Sequence, residues 1–131
     1  MKTLTTWIGE HRFTGEHEGN RIAIDGDKLA GHGPKALLLS GLAGCSGIDV
    51  VDILEKMRVP FSDFSMETEA EVADDHPKVF TSVIIRYRLR TAPENEEKVK
   101  KAIDLSLEKY CGVAAMLKKN APVAYELEIL Q

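Results

Sequence analysis

The longest apolar segment of the chain lies between Gly33-Pro34 and Val59-Pro60. Proline is favoured in a first helical turn, and the residue before a proline is pushed out of helical geometry, so these dipeptides predict a helix over 34–58. Residues 36–43 are apolar or small except for Ser40. A polar stripe returns further along, at Asp49, Asp52, Glu55 and Lys56. Because a helix that is apolar on all sides must be covered, we expect its front half to be enclosed.

Small residues are concentrated in the middle of this central helix. They are Gly41, Ala43, Gly44, Ser46 and Gly47. Each glycine destabilises a helix interior by about 1 kcal/mol relative to alanine, so an offsetting contact is expected. The small residues form a surface on which another backbone can lie closely, and Cys45 is in the middle of it.

The remaining segments predict strands and two further helices. β-favouring residues over 2–13 indicate a first strand, and the apolar–polar alternation of the other strand segments follows period two. These strands cover 21–25, 64–72, 79–90 and 123–130, and apolar stripes at helical spacing cover 93–110 and 113–117. The predicted order is β-β-α-β-β-α-α-β, which indicates a single α+β domain over 1–131 with an antiparallel sheet and segregated helices.

The composition is typical of a soluble globular protein of 131 residues with 44% hydrophobic and 29% charged residues. A net charge of -4 and a pI near 5.6 argue against nucleic acid or an anionic membrane surface as a partner, since both require a clustered basic field. The sequence shows neither a signal-peptide pattern at its start nor an uninterrupted apolar run of about 18 residues. We therefore expect a cytoplasmic protein that does not insert into a membrane.

The two cysteines, Cys45 and Cys111, do not form the framework of a secreted disulfide protein. On a helical wheel, Cys45 lies where the apolar face of the central helix becomes polar, so it is either a packed thiol or a reactive one. If a helix restarts near Cys111, its unpaired N–H groups favour a thiolate there, and the alternative is a packed thiol beside Tyr110. The local sequence leaves both alternatives open for each cysteine.

Other catalytic and ligand-binding patterns are missing from the sequence. The four histidines have no metal-ligand spacing, and there is no C-x-x-C motif. There is no G-x-S-x-G elbow, and the glycines of the central helix do not form a dinucleotide-binding loop. We therefore expect no metal and no bound cofactor.

Two cysteine motifs are widely separated in the chain. The first, G-P-x-x-L-L-L-x-x-L-A-G-C-[S/T]-x-x-D-V, covers 33–50, and the second, E-K-Y-C-x-V-x-x-x-L, covers 108–117. Together with the order of elements, they resemble the OsmC/Ohr family of thiol-dependent hydroperoxide reductases, and most closely its small, single-domain OsmC-like branch.

That resemblance implies a peroxidatic cysteine on the central helix, Cys45, and a resolving cysteine at the break between the two C-terminal helices, Cys111. It implies an interlocked, obligate homodimer with sites at the interface. The implied chemistry is attack by the Cys45 thiolate on an organic hydroperoxide, followed by condensation of the sulfenic acid with Cys111 and reduction of the disulfide by a dithiol.

The chain departs from the peroxidase pattern at Lys35. In peroxidase members of the family this position holds a glutamate, in an N-P-E context, which binds an arginine that activates the thiolate. The best candidate for that arginine is Arg21, followed by Arg12, and an acid such as Asp49 would have to hold it, because Lys35 repels it. Without such an arginine, either Lys35 itself favours the thiolate of Cys45, or the thiol is not activated and Cys45 is a poor peroxidatic residue.

We predict a thiol-dependent peroxidase that removes organic hydroperoxides in oxidative stress defence, with Cys45, Cys111, Arg21 and Lys35 as its catalytic residues. The alternative is a noncatalytic OsmC-like dimer whose interface binds a small apolar or lipid-like molecule, with the cysteines serving as packing. A third alternative is thiol chemistry on another substrate. The rate at which Cys45 reacts with a hydroperoxide separates the first two.

Overall fold

The computed structural model describes the whole chain, residues 1–131. Its elements are β1 (Leu4–Gly9), β2 (Arg12–His17), β3 (Asn20–Asp25), α1 (Pro34–Lys56), β4 (Ser62–Val72), β5 (Phe80–Arg90), α2 (Glu96–Leu105), α3 (Gly112–Lys118) and β6 (Val123–Leu130). A 3₁₀ turn, Pro93–Asn95, precedes α2, and a π-helical turn, Ser106–Tyr110, follows it. The α+β class is confirmed. The chain forms two compact units, Met1–Leu38 and Leu39–Gln131, so the prediction of one domain stays a prediction.

The first unit contains an antiparallel sheet of three strands in the order β1-β2-β3, one strand more than the sequence indicates. A tight turn divides the predicted first strand, because Gly9 and Glu10 adopt positive φ angles of 125° and 51°. The indole Nε1 of Trp7 donates a hydrogen bond of 2.9 Å to the Glu10 carbonyl and supports this turn. Left-handed geometry is uncommon for glutamate, so the sequence carries no clear signal for it.

The second unit contains the sheet β4-β5-β6. The β4–β5 hairpin is antiparallel, as predicted, but β6 runs parallel to β5, which corrects the prediction of an antiparallel sheet for this strand. The connection from β5 to β6 contains α2, the π-helical turn and α3. A connection of that length returns the chain to the end of the sheet from which β5 starts, as parallel pairing requires.

One face of β5 supplies the centre of the core in this unit. Its alternating residues are buried, as the period-two pattern predicts: Val83, Ile85, Tyr87 and Leu89. The helices add residues of α1 (Leu42, Val50, Leu54) and of α2 (Val99, Ala102, Ile103). On the other face of β5, Arg86 makes ion pairs of 3.1–3.3 Å with Glu67, Glu69 and Glu126.

The central helix α1 is not fully covered within one chain. By length and composition it is apolar enough to cross a membrane, but a core helix passes the same test, and Leu42, Val50 and Leu54 pack in the core. In contrast, Leu38 in the front half is 50% exposed, and Ile48 further along the helix is 65% exposed. The enclosure of the front half that the sequence predicts is therefore incomplete in a single copy of the chain.

Candidate redox site

The two cysteines meet in the second unit of the structure. Cys45 on α1 is half-buried, and Cys111, between the π-helical turn and α3, is buried. Both are free thiols, and they lie close enough together for the Cys45 side chain to raise the pKa of Cys111. The fold thus brings together the central residues of two motifs that are distant in sequence.

Cys111 lies at a break in the helical backbone. Its N–H donates to the Ser106 carbonyl at 2.7 Å and closes the π-helical turn, and its φ and ψ of −76° and 101° are extended. The Cys111 Sγ then accepts a hydrogen bond of 3.3 Å from the Ala114 N–H, which makes Cys111 the N-cap of α3. The helical break that the sequence places at Cys111-Gly112 is therefore confirmed. The π-helical turn was not predicted.

Cys111 is a neutral thiol in this environment. Burial raises its pKa to about 11, although the Ala114 N–H opposes the shift. The proximity of Cys45 and the charge of Asp49 raise this pKa further. Of the two alternatives that the sequence left open, the packed thiol describes Cys111, because the cost of burying a charge exceeds the stabilisation from one N–H group. Its neighbour Tyr110 is 54% exposed.

A group of hydrogen-bonded side chains lies next to the two cysteines, and we call it the hydroxyl cluster: Ser46, Asp49, Tyr87 and Ser106. The Ser46 Oγ is 2.6 Å from the Tyr87 hydroxyl and 2.8 Å from the Ser106 Oγ. The Ser106 hydroxyl also donates to Asp49 Oδ2 at 2.9 Å. The three hydroxyl-bearing residues are completely buried. Burial raises the pKa of Tyr87 to about 12, so its phenol remains protonated.

The sequence gave little indication of this cluster. Ser46 and Asp49 belong to the first cysteine motif, and their spacing suggested only the polar border of the central helix. Tyr87 follows the apolar alternation of β5, and Ser106 interrupts the apolar stripe before Cys111 without any motif of its own. Their association depends on how α1, β5 and the π-helical turn pack together, and no local pattern reports that.

The other predicted catalytic residues lie in the first unit. Arg21 on β3 is exposed and donates from Nε to Glu16 at 2.9 Å. Arg12 on β2 has its Nη2 3.7 Å from a carboxylate oxygen of Glu10, and its buried Nε has no hydrogen-bond partner. Lys35 is exposed in the first turn of α1, ten residues before Cys45 in the chain, which is a rise of about 15 Å in a regular helix. The catalytic roles of Arg21 and Lys35 stay predictions.

Comparison with known proteins identifies the family. The family described as OsmC-like protein matches residues 25–126, which include both cysteines. The chain is 33% identical to protein YhfA of Escherichia coli (strain K12) over 134 aligned positions, which cover 99% of this chain and 98% of that protein. A crystal structure of a hypothetical protein from Aquifex aeolicus VF5 superposes with a TM-score of 0.84 at 27% identity and covers 99% of this chain and 97% of that one.

The fold extends to more distant proteins as well. The organic hydroperoxide resistance protein OhrB of Bacillus subtilis superposes with a TM-score of 0.66 at 18% identity, with 98% of each chain covered, which is a likeness of fold alone. The family match covers most of the sequence, and the relative from Escherichia coli aligns over nearly its whole length. The chain therefore belongs to the OsmC-like protein family.

Proposed function

We propose that this protein is a thiol-dependent reductase of organic hydroperoxides, a peroxidase that acts in oxidative stress defence in the cytoplasm. The observation that carries the proposal is the proximity of two free cysteine thiols of unequal burial, Cys45 and Cys111. Membership of the OsmC-like family supports a redox or peroxide-related role. The name of the Bacillus subtilis neighbour, an organic hydroperoxide resistance protein, supports the substrate class.

The difference in burial supports one order of reaction for the two cysteines. A thiolate, not a thiol, is the nucleophile in these reactions. Cys111 is buried, and its pKa of about 11 keeps it protonated, so it is a poor first nucleophile. Cys45 is half-buried and is the thiol that a substrate reaches. Cys45 is therefore the peroxidatic residue of the proposal, and Cys111 resolves its oxidised form.

The proposed reaction has two chemical steps. The Cys45 thiolate attacks the terminal oxygen of the hydroperoxide, the O–O bond breaks, and the departing alkoxide takes a proton from water to become an alcohol. Cys45 becomes a sulfenic acid. The Cys111 sulfur then attacks the Cys45 sulfur, and the departing hydroxide takes the Cys111 proton and leaves as water. A dithiol reductant, oxidised in turn, returns the disulfide to two thiols.

A homodimer is part of this proposal. A Cβ added at Gly41 or Gly44 would have no atom within 4 Å beyond the surrounding backbone of α1, and Leu38 and Ile48 are exposed nearby on the same helix. A second copy of the chain that packs on this part of α1 would bury these apolar residues and would use the close approach that glycine allows.

The test is the rate at which the reduced protein consumes cumene hydroperoxide, measured by stopped flow. Glutathione at the same thiol concentration provides the reference rate. We expect Cys45 to react faster than glutathione, and mass spectrometry to show the loss of two hydrogens per chain as the disulfide forms. The Cys45→Ser variant should not react. The Cys111→Ser variant should react once and accumulate a sulfenic acid that dimedone traps.

Two results would contradict the proposal. If Cys45 reacts no faster than glutathione, a noncatalytic dimer that binds a small apolar or lipid-like molecule becomes the better explanation. If Cys45 of the wild type over-oxidises while Cys111 stays reduced, the resolving role of Cys111 is wrong.

A further inference from the structure

The hydroxyl cluster joins the two segments that carry the cysteines. We propose that Ser106 is a positioning residue for the disulfide between Cys45 and Cys111, and that Ser46 and Asp49 hold it in place. The inference rests on the proposed function in one respect, because that reaction is where the disulfide forms.

Ser106 is bound on two sides. On the backbone side, the Ser106 carbonyl accepts a hydrogen bond of 2.7 Å from the Cys111 N–H, which fixes the backbone position of Cys111. Through its side chain, Ser106 donates to Asp49 at 2.9 Å and lies 2.8 Å from the Ser46 Oγ. Ser46 is the residue after Cys45, and Asp49 follows one helical turn later. One residue therefore ties the backbone of Cys111 to the turn of α1 that carries Cys45.

The Ser106 hydroxyl is the donor that links the cluster to α1. Its Oγ lies within hydrogen-bond distance of two acceptors there, Asp49 Oδ2 at 2.9 Å and the Ser46 Oγ at 2.8 Å. The Ser46 Oγ shares a further hydrogen bond of 2.6 Å with the Tyr87 hydroxyl. Both acceptors of Ser106 lie within one turn of α1, so the Ser106 side chain is tied to the segment that follows Cys45.

This fixation matters because disulfide geometry is narrow. Cα atoms must be about 4.4–6.8 Å apart with a defined dihedral angle between the sulfur atoms. Cys111 lies at a backbone break, where its N–H donates to the Ser106 carbonyl of the π-helical turn and its carbonyl accepts from the Ala115 N–H of α3, so its position relative to α1 follows that of these two segments. Without the Ser106 side chain, the link between the π-helical turn and α1 is lost, and Cys111 samples positions from which it cannot reach Cys45.

The experiment measures how strongly the fold favours the disulfide, without any peroxide. The reduced protein is equilibrated with glutathione disulfide at about pH 7, which forms the protein disulfide and releases two molecules of glutathione. The equilibrium constant of this exchange gives the effective concentration of the two protein thiols, which expresses how strongly the fold favours the disulfide. We expect Ser106→Ala to lower this concentration about tenfold, since misplacement of reacting groups by about 1 Å costs factors of this size or more.

Tyr125→Phe is the matched control. It removes the 2.9 Å hydrogen bond from the Tyr125 hydroxyl to Asp104, while its ring packs edge-on against Tyr87. It therefore deletes a hydroxyl next to the cluster without touching Ser106, and it should leave the effective concentration near the wild-type value. Urea unfolding of both reduced variants compares their losses of stability.

A conservative variant separates positioning from charge. Asp49→Asn keeps an oxygen that accepts from Ser106 and should stay near the wild type, whereas Asp49→Ala should lower the effective concentration as Ser106→Ala does. At about pH 7 the Cys111 thiol is protonated with either side chain, so the charge itself has little effect on the equilibrium. Asp49 is half-buried, so its alanine variant provides the measurement if Ser106→Ala does not fold.

The inference is overturned if Ser106→Ala and Asp49→Ala both leave the effective concentration at the wild-type value. It is also overturned if Tyr125→Phe lowers it as much as they do. A wild type that ignores hydroperoxides overturns the proposed function instead, because the glutathione equilibrium does not require peroxide. The two failures are thus distinguishable.

Discussion

Substitution of Ser46 by alanine should destabilise the protein through a partner that remains in place. The Tyr87 hydroxyl is completely buried and has the Ser46 Oγ 2.6 Å away as its hydrogen-bond partner. Ser46→Ala leaves that phenol without this partner, and an orphaned buried polar group costs about 1–3 kcal/mol. Tyr87→Phe removes the phenol hydroxyl itself, while Ser46 still has Ser106 as a partner. The expected loss in the free energy of unfolding is therefore about 1 kcal/mol, the net value of one hydrogen bond.

The double variant decides whether this reasoning is right. With both hydroxyls absent, no phenol is orphaned, so the loss for Ser46→Ala/Tyr87→Phe should be smaller than the sum of the single losses by about 1–2 kcal/mol. Urea unfolding of the reduced protein at one fixed chain concentration gives the three values. Thr91→Val is the control partner for Tyr87→Phe. Thr91 lies four residues after Tyr87 in the chain, and its hydroxyl donates to the Pro60 carbonyl. The losses of stability in the Thr91→Val/Tyr87→Phe double variant should therefore add. Additivity of Ser46→Ala and Tyr87→Phe would refute the hydrogen bond between these two hydroxyls as the cause of the loss.

Three further predictions follow from individual residues. Burial raises the pKa of Cys111 from 9.0 to about 11 and that of Tyr87 from 10.0 to about 12, so the unfolded chain loses these protons at a lower pH than the folded chain does. The free energy of unfolding, measured in urea, should therefore fall as the pH rises from about 9 to 12. Cys111→Ala should make this fall shallower, and an equal fall would contradict the assignment of the effect to Cys111. Gly41→Ala and Gly44→Ala should weaken the proposed dimer in sedimentation experiments, whereas a monomer stabilised by about 1 kcal/mol per substitution would show that this helix face is open to water. Lys35→Met should slow the reaction of the protein with cumene hydroperoxide if Lys35 favours the thiolate, and an unchanged rate would remove Lys35 from the site.

The elements that the sequence predicted well are those with long, regular patterns. The central helix was expected over 34–58 and runs over Pro34–Lys56, and the alternation expected over 79–90 appears as β5, Phe80–Arg90. These patterns extend over several periods, so one irregular residue does not hide them. The turn at Glu10 and the parallel pairing of β6 were missed for different reasons. The first depends on one backbone angle, and the second depends on the path of a helical connection, which local periodicity does not encode.

The candidate site divides in the same way. The resemblance to a known family singled out Cys45 and Cys111, and the fold places them close together, but neither their unequal burial nor the cluster beside them could be read from the motifs. A serine in an apolar stripe, such as Ser106, has many possible partners. Only the packing of α1 against the π-helical turn makes Ser46 and Asp49 those partners.

Stability alone does not explain why such a cluster lies in the core. A satisfied hydrogen bond contributes only about 1 kcal/mol net, and replacing both of its partners by apolar groups of the same shape is nearly neutral. An incompletely satisfied cluster is costly, so an apolar core would be the safer arrangement for packing. What the hydroxyl cluster provides is a connection, because Ser106 binds Ser46 and Asp49 on α1 through its side chain while its carbonyl accepts the Cys111 N–H. That connection joins the segments that carry Cys45 and Cys111, which is the argument for the positioning role that we propose for Ser106.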